Sequence, residues 1–296
     1  MAYRSPIWDV DRSKYKTKKG VGYALDWLED NQYLIDKFAD ELYISSRDEW
    51  YFHHFTQKNP IQVMKLLEDY KMRNEEKVKQ ILKEIREEKS KIIFIIGGRG
   101  SGKTALAFYL AEQLRYEVPV FSCGLSTKAL PKWCKYVEES KDASAGGLIL
   151  FDETAITFSA RDFQKEANKF IGKQIATARH NNQTMLFLCQ SARMVDVNIR
   201  RLKDIILWKR QSTYTTLSGS TYSKSEKFWE KLRNMMVPVT KKQVLFEYPM
   251  KRRFIKFEHD LPECWSEELS KGWKDWAKKQ PKIIEKIESK EDEFQM

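Results

Sequence analysis

The stretch Ile92 to Leu106, IIFIIGGRGSGKTAL, constrains this chain more than any other. Its opening run of apolar residues suits a strand buried on both faces, and such strands belong to parallel sheets. Gly97, Gly98, Gly100 and Gly102 then crowd into a short turn, where the backbone is free to fold back on itself. An Ala/Leu-rich helix starts directly after, at Lys103-Thr104. Strand, glycine turn and helix N-terminus together aim successive N–H groups and a positive helix end into one concavity, the shape and charge of a phosphate cradle. The spacing Gly97-x4-Gly102-Lys103-Thr104 is the Walker A pattern, in the strand-before, helix-after context that the pattern requires. The expected nucleotide-binding residues are Gly97, Gly98, Arg99, Gly100, Ser101, Gly102, Lys103, Thr104 and Ala105. Lys103 would reach the β- and γ-phosphates of ATP, and the Thr104 hydroxyl would hold Mg²⁺. Arg99 is either a surface side chain or an aid to the phosphates within its own subunit.

A phosphate-bound metal needs a carboxylate, and GGLILFDET supplies one. Asp152 closes a buried apolar run, as a Walker B aspartate does, and Glu153 follows directly. Two acids leaving a hydrophobic strand are costly unless they are used. Asp152 would join the Mg²⁺ shell and Glu153 would polarise the attacking water. A water-activating glutamate favours hydrolysis over phosphoryl transfer to a metabolite. A third run, TMLFLCQS, ends in Gln190, placed to reach the γ-phosphate or the water from a neighbouring strand; satisfying backbone groups would explain it equally.

The rest of the chain falls into three stretches: a helical N-terminal region over 1–90, a P-loop core over 91–210 and a small α+β region over 211–296. In the first, apolar residues of YALDWLEDNQYLIDKFADEL recur at helical steps, Asn59-Pro60 reads as an N-cap and first helical residue, and Val78, Ile81, Leu82 and Ile85 form one stripe. In the second, apolar runs at Ile92–Ile96, Val118–Ser122, Leu148–Phe151, Met185–Cys189 and Ile205–Trp208 alternate with helix-length connections. The expected fold is α/β: an ASCE, RecA-like P-loop NTPase with about five parallel strands sandwiched by helices. In the third, Gln243 to His259 reads as a hairpin around a Pro-containing turn, followed by one or two helices.

Charge adds a partner. The net +11 is uneven: residues 91–210 carry 19 Lys/Arg against 11 Asp/Glu, whereas residues 1–90 balance at 17 of each. The positive excess therefore surrounds the nucleotide motif, where a polyanion is the natural partner. Lys165, Lys169 and Lys173 recur every four residues and on a helix form one positive ridge; a DNA backbone or plain solvent would suit that face. Four cysteines without CxxC or zinc-ligand spacing read as reduced, mostly buried thiols. No apolar run is long enough to span a bilayer and no leader opens the chain, so a cytoplasmic location is expected, in the host if the source is viral.

Taken together, GGRGSGKT, LILFDET and ARHNNQTMLFLCQS resemble the HerA/FtsK superfamily of P-loop ATPases, which includes viral genome-packaging and Zot-like members. The resemblance covers roughly residues 90–210, and QSARMVDVNIRRL fits it as well. It implies a homo-oligomeric ring that uses Mg-ATP hydrolysis to move double-stranded DNA, with a capsid or portal-type partner if the role is packaging. It also implies an arginine reaching into the neighbouring subunit's nucleotide; Arg179 is the matching position and Arg200 a second candidate. The helical start and the missing membrane span depart from the barrel-bearing and export branches. Two other readings stay open here: an AAA+-like or signalling NTPase that remodels protein, and a nucleotide-gated DNA-binding scaffold with little turnover.

Overall fold

The computed structural model describes residues 20–41, 56, 59–87, 90–123, 129–151, 172–190, 202–210, 232–233, 236, 238–251, 253–266 and 268–269. Strands β1 (Ile92–Ile96), β2 (Val120–Cys123), β3 (Cys134–Tyr136), β4 (Leu148–Phe151), β5 (Thr184–Cys189), β6 (Ile205–Trp208), β7 (Gln243–Tyr248) and β8 (Arg253–Glu258) form one sheet, ordered β3-β2-β4-β5-β1-β6-β7-β8. The first six strands of that order pair in parallel, and the β7–β8 hairpin continues the sheet antiparallel from β6.

This confirms the α/β P-loop NTPase fold and corrects two details. A sixth parallel strand exists at Cys134–Tyr136, an edge strand with Lys135 exposed. Three residues with a lysine at their centre leave no apolar run to recognise. The hairpin also belongs to the same sheet as the P-loop, because Leu245 and Phe246 pair with Trp208 and Leu207. The β4–β5–β1 order inserts β5 between the P-loop strand and the strand leading to Asp152, as an ASCE sheet requires.

Continuous apolar runs pay off as two cores, one per face. Side chains alternate across a strand, so Ile92, Phe94 and Ile96 join one core while Ile93 and Ile95 join the other. On the first face Phe94, Phe187 and Phe151 stack in series from β1 through β5 to β4, with ring centroids 5.3 and 5.1 Å apart. Helices α1 (Val21–Asp30), α2 (Gln32–Glu41), α3 (Pro60–Lys71) and the helical stretch 172–180 (α6) contribute to that core. On the second face lie α4 (Asn74–Glu87) and the P-loop helix α5 (Lys103–Leu114). Each fully buried Ile or Phe contributes roughly 1.5–3 kcal/mol, so this double burial is what holds β1 at the centre.

The N-terminal helices follow their periodicity. Val78, Ile81 and Ile85 are buried as one stripe of α4, with Leu82 packed beside them. α3 starts at Pro60 with Asn59 in the N-cap position, although the Asn59 side chain makes no capping bond. These helices are tied to the hairpin: Arg253 donates to both Asp69 oxygens at 2.6 and 2.7 Å and to Glu84 at 3.0 Å. Asn74 brackets Glu258, accepting its backbone N–H at 2.7 Å and donating to its carbonyl at 2.9 Å.

Candidate nucleotide site

Register decides where the site forms. Ile96 pairs with Cys189 on one side and Trp208 on the other, so β5, β1 and β6 end level at their C-terminal edge. The ladder runs on into the loop: the Gly97 N–H donates to the Cys189 carbonyl at 3.1 Å, and the Gly98 N–H to the Arg210 carbonyl at 3.0 Å. The glycine loop is thus held at both flanks before it turns. Gly100 (φ 71°) and Gly102 (φ 88°) then take left-handed conformations that L residues adopt only under strain. Ser101 donates its N–H back to the Gly98 carbonyl at 3.2 Å, closing the turn. α5 begins at Lys103 and presents its N-terminus at the loop's mouth.

Gly97 has no room for a side chain. A Cβ there would stand 2.6 Å from the Cβ of Lys209 and 2.6 Å from the Ser101 hydroxyl. The Lys103 ammonium donates to the Gly97 and Gly98 carbonyls at 3.0 and 3.2 Å, which keeps it folded over the loop. The Ser101 hydroxyl is buried and has no hydrogen-bond partner within the described protein. A loop with no room for a side chain at Gly97, a cation folded over it and a buried hydroxyl without a partner among the described residues all fit a nucleotide's phosphates. Thr104 is half-buried in the first turn of α5, and Arg99 is exposed at the loop's tip.

Gln190 lies one residue beyond Cys189, whose carbonyl holds Gly97, so β5 delivers it beside the loop; its side chain is exposed. Arg179 lies at the other end of the same strand, exposed near the end of α6, with its guanidinium 3.4 Å from the Leu202 carbonyl ahead of β6. β5's six residues span about 20 Å at ~3.3 Å each. Gln190 and the P-loop are therefore together, and Arg179 is not with them. Lys173 is exposed on α6, and Ile175 is buried beneath it, as the ridge pattern expects. Asp152, Glu153, Lys165, Lys169 and Arg200 lie outside the described residues; β4 ends at Phe151 on the same edge of the sheet as the loop. All four cysteines are free thiols, and Cys123, Cys134 and Cys189 are buried.

The structure also brings in two residues that the motif spacing does not reveal. Lys209 directly follows β6 and is fully buried, and its ammonium contacts the Lys241 carbonyl and, at 2.9 Å, the His259 imidazole Nε2. His259 Nδ1 stands 2.8 Å from the Asp260 carbonyl, which can only accept, so Nδ1 carries the proton and Nε2 accepts from Lys209. Burial lowers the Lys209 pKa to about 8, and burial together with the Lys209 charge lowers that of His259 to about 4. A cation closing an apolar run was visible in the sequence, by the same logic that singles out Asp152. His259, fifty positions away, was not.

Residues 124–218 match the family model described as zonular occludens toxin, Zot. That segment spans the Asp152-Glu153 pair, Arg179, Gln190 and Arg200, and it begins after the P-loop, its helix α5 and β2. Over that segment the chain is similar to the Zot family. Among solved structures, similarity extends to B204, the DNA-packaging ATPase of Sulfolobus Turreted Icosahedral Virus, at 14% identity and TM-score 0.41 over 58% of this chain and 98% of that one. It extends also to the N-terminal domain of zonular occludens toxin from Neisseria meningitidis, at 16% identity and TM-score 0.33 over 61% and 97% of the two chains. The pCW3 conjugation coupling protein TcpA matches at 11% identity and TM-score 0.38 over 57% and 60%. No match was found among curated proteins. Among the described residues no helix is long and apolar enough to cross a membrane.

Proposed function

We propose that this Zot-like protein is an ATP-hydrolysing motor that moves double-stranded DNA, most specifically of the genome-packaging kind, working as a homo-oligomeric ring. The observation that carries this reading is the split along β5. Gln190 is delivered to the phosphate edge, whereas Arg179 stands at the opposite edge, about 20 Å away and beyond its own nucleotide. An arginine so placed serves catalysis only if a second subunit brings its P-loop to it, which is the demand of a ring. The +8 excess over residues 91–210 supports a polyanionic cargo.

In this reading the loop N–H groups and Lys103 hold the β- and γ-phosphates, and Gln190 orients the attacking water. Glu153 accepts a proton from that water, and the partner subunit's finger offsets charge that develops on the γ-phosphoryl oxygens. Thr104 and Asp152 would hold Mg²⁺, whose part is to neutralise phosphate charge. Arg200 is the second finger candidate, and Lys165, Lys169 and Lys173 are the phosphate-tracking cations.

The test is ATP turnover with and without duplex DNA for wild type, Lys103→Ala and Glu153→Gln. A motor shows DNA-stimulated turnover that both substitutions abolish. Turnover indifferent to DNA at low salt would sink the translocase, and slow turnover unchanged by Glu153→Gln would point to a nucleotide-gated scaffold.

A further inference from the structure

We propose that Lys209 is a positioning residue of the nucleotide site, setting the P-loop from beneath and tying its geometry to residues 259–264, the strap that follows the hairpin. The inference rests on the P-loop reading above and adds to it a residue and a control point outside the Walker motifs.

The main chain of Lys209 extends the central ladder, its N–H donating to the Ile96 carbonyl at 2.7 Å. Its side chain is wholly covered and runs under the loop from one end to the other. A Cβ on Gly97 would lie 2.6 Å from the Lys209 Cβ, and one on Gly102 would lie 3.7 Å from its Cε and 3.9 Å from its Nζ. The first and last glycines of the Walker motif therefore rest on one aliphatic stem. At its tip the ammonium contacts the Lys241 carbonyl and the neutral His259 ring.

The strap gives that contact its leverage. His259 packs its ring against Tyr109 of α5, with centroids 5.3 Å apart. Glu112, one turn further along α5 and buried, accepts the N–H groups of Glu263 and Cys264 at 2.9 and 3.1 Å. The strap therefore crosses the P-loop helix, held by Glu112 at one end and gripping Lys209 at the other. Displacing it frees the ammonium that sets Gly97 and Gly102. A residue that only filled space would be replaced without loss by an apolar side chain of equal length.

The experiment measures binding of a fluorescent N-methylanthraniloyl-ATP with Mg²⁺ to the full chain, together with melting temperature. The proteins are wild type, Lys209→Met, His259→Phe and Lys103→Ala. Lys209→Met keeps the stem and removes the ammonium that grips the Lys241 carbonyl and His259; it should weaken binding about tenfold, by more than any change in melting temperature accounts for. A loss of affinity that outruns the loss of stability is a signature that a structural filler does not give. Wild-type affinity should fall as pH rises from 7.5 to 9.5 by more than that of Lys209→Met. That comparison subtracts Lys103, Tyr109, Lys241, Lys242 and Asp260, which both proteins share around the site. His259→Phe should weaken binding to a smaller degree.

Wild-type affinity in Lys209→Met, or a loss that merely tracks lost stability, overturns the inference. Should Lys209→Met not fold, wild-type binding flat with pH and unaffected by His259→Phe overturns it instead. Loss of binding in Lys103→Ala alone would remove this inference and leave the P-loop reading standing. Equal binding by wild type and Lys103→Ala would remove both.

Discussion

Replacing one hydrogen by a methyl group at three glycines should have three different outcomes, and the structure sets each. At Gly97 the new Cβ would sit 2.6 Å from the Lys209 Cβ and 2.6 Å from the Ser101 hydroxyl. Carbon–carbon contacts settle at about 3.5–4.0 Å, so the overlap is about 1 Å. The Lys209 Cβ is anchored to a central strand and yields little, so the loop must shift. That shift strains the Gly97 bond to the Cys189 carbonyl and the Gly98 bond to the Arg210 carbonyl. Overpacking of this kind costs about 1–3 kcal/mol, and a displacement near 1 Å in a phosphate site costs about 100-fold in binding or rate.

At Gly100 no atom lies within 4 Å, but the φ of 71° strains any L side chain, so Gly100→Ala should cost about 1–2 kcal/mol through torsion alone. Gly22, exposed in the first turn of α1, has neither problem, and Gly22→Ala should stabilise by about 0.5 kcal/mol. Urea denaturation at unchanged slope gives the stabilities, and titration with the fluorescent nucleotide gives the affinities. If Gly97→Ala binds nucleotide as well as Gly22→Ala does, Lys209 does not press against the loop and the steric argument is wrong.

Three further outcomes follow from the described contacts. Asp69→Ala should destabilise by about 3 kcal/mol, because it strips the Arg253 guanidinium of two short bonds at a buried site. A double-mutant cycle in urea with Arg253→Met should recover most of that loss, and full additivity would refute the pairing. Stability should fall as pH drops from 6.5 to about 4: His259 stays neutral in the fold down to about 4, so the unfolded chain binds the extra proton in that window. The effect is at most roughly 3 kcal/mol, and His259→Gln should flatten it in melting curves taken across that range. Lys209 acts in the same direction at higher pH, where the unfolded chain stays protonated between about 8 and 10.5 and folding gains as pH rises. Finally, Arg179→Ala mixed with wild type should depress ATP turnover by more than its share; strictly proportional loss would rule out a finger acting across subunits.

What the sequence by itself determined was local. The phosphate loop needs only a buried strand, glycines at set positions and a helix start, all within Ile92–Leu106, and short-range backbone geometry forms it. The two-faced burial of the strands was legible for the same reason: an uninterrupted apolar run such as IIFII has no face to offer water. Strand order, by contrast, is a matter of which backbones hydrogen-bond, and no periodicity records it. Only the tertiary structure decided that β5 divides β1 from β4, which sets Gln190 beside the P-loop, and that the hairpin extends the P-loop sheet. The Lys209–His259 contact joins the two ends of that arrangement across fifty positions. Each residue alone reads as an ordinary charged or polar side chain, and they meet because β7 and β8 pair beside β6 and carry His259 back to the end of β6.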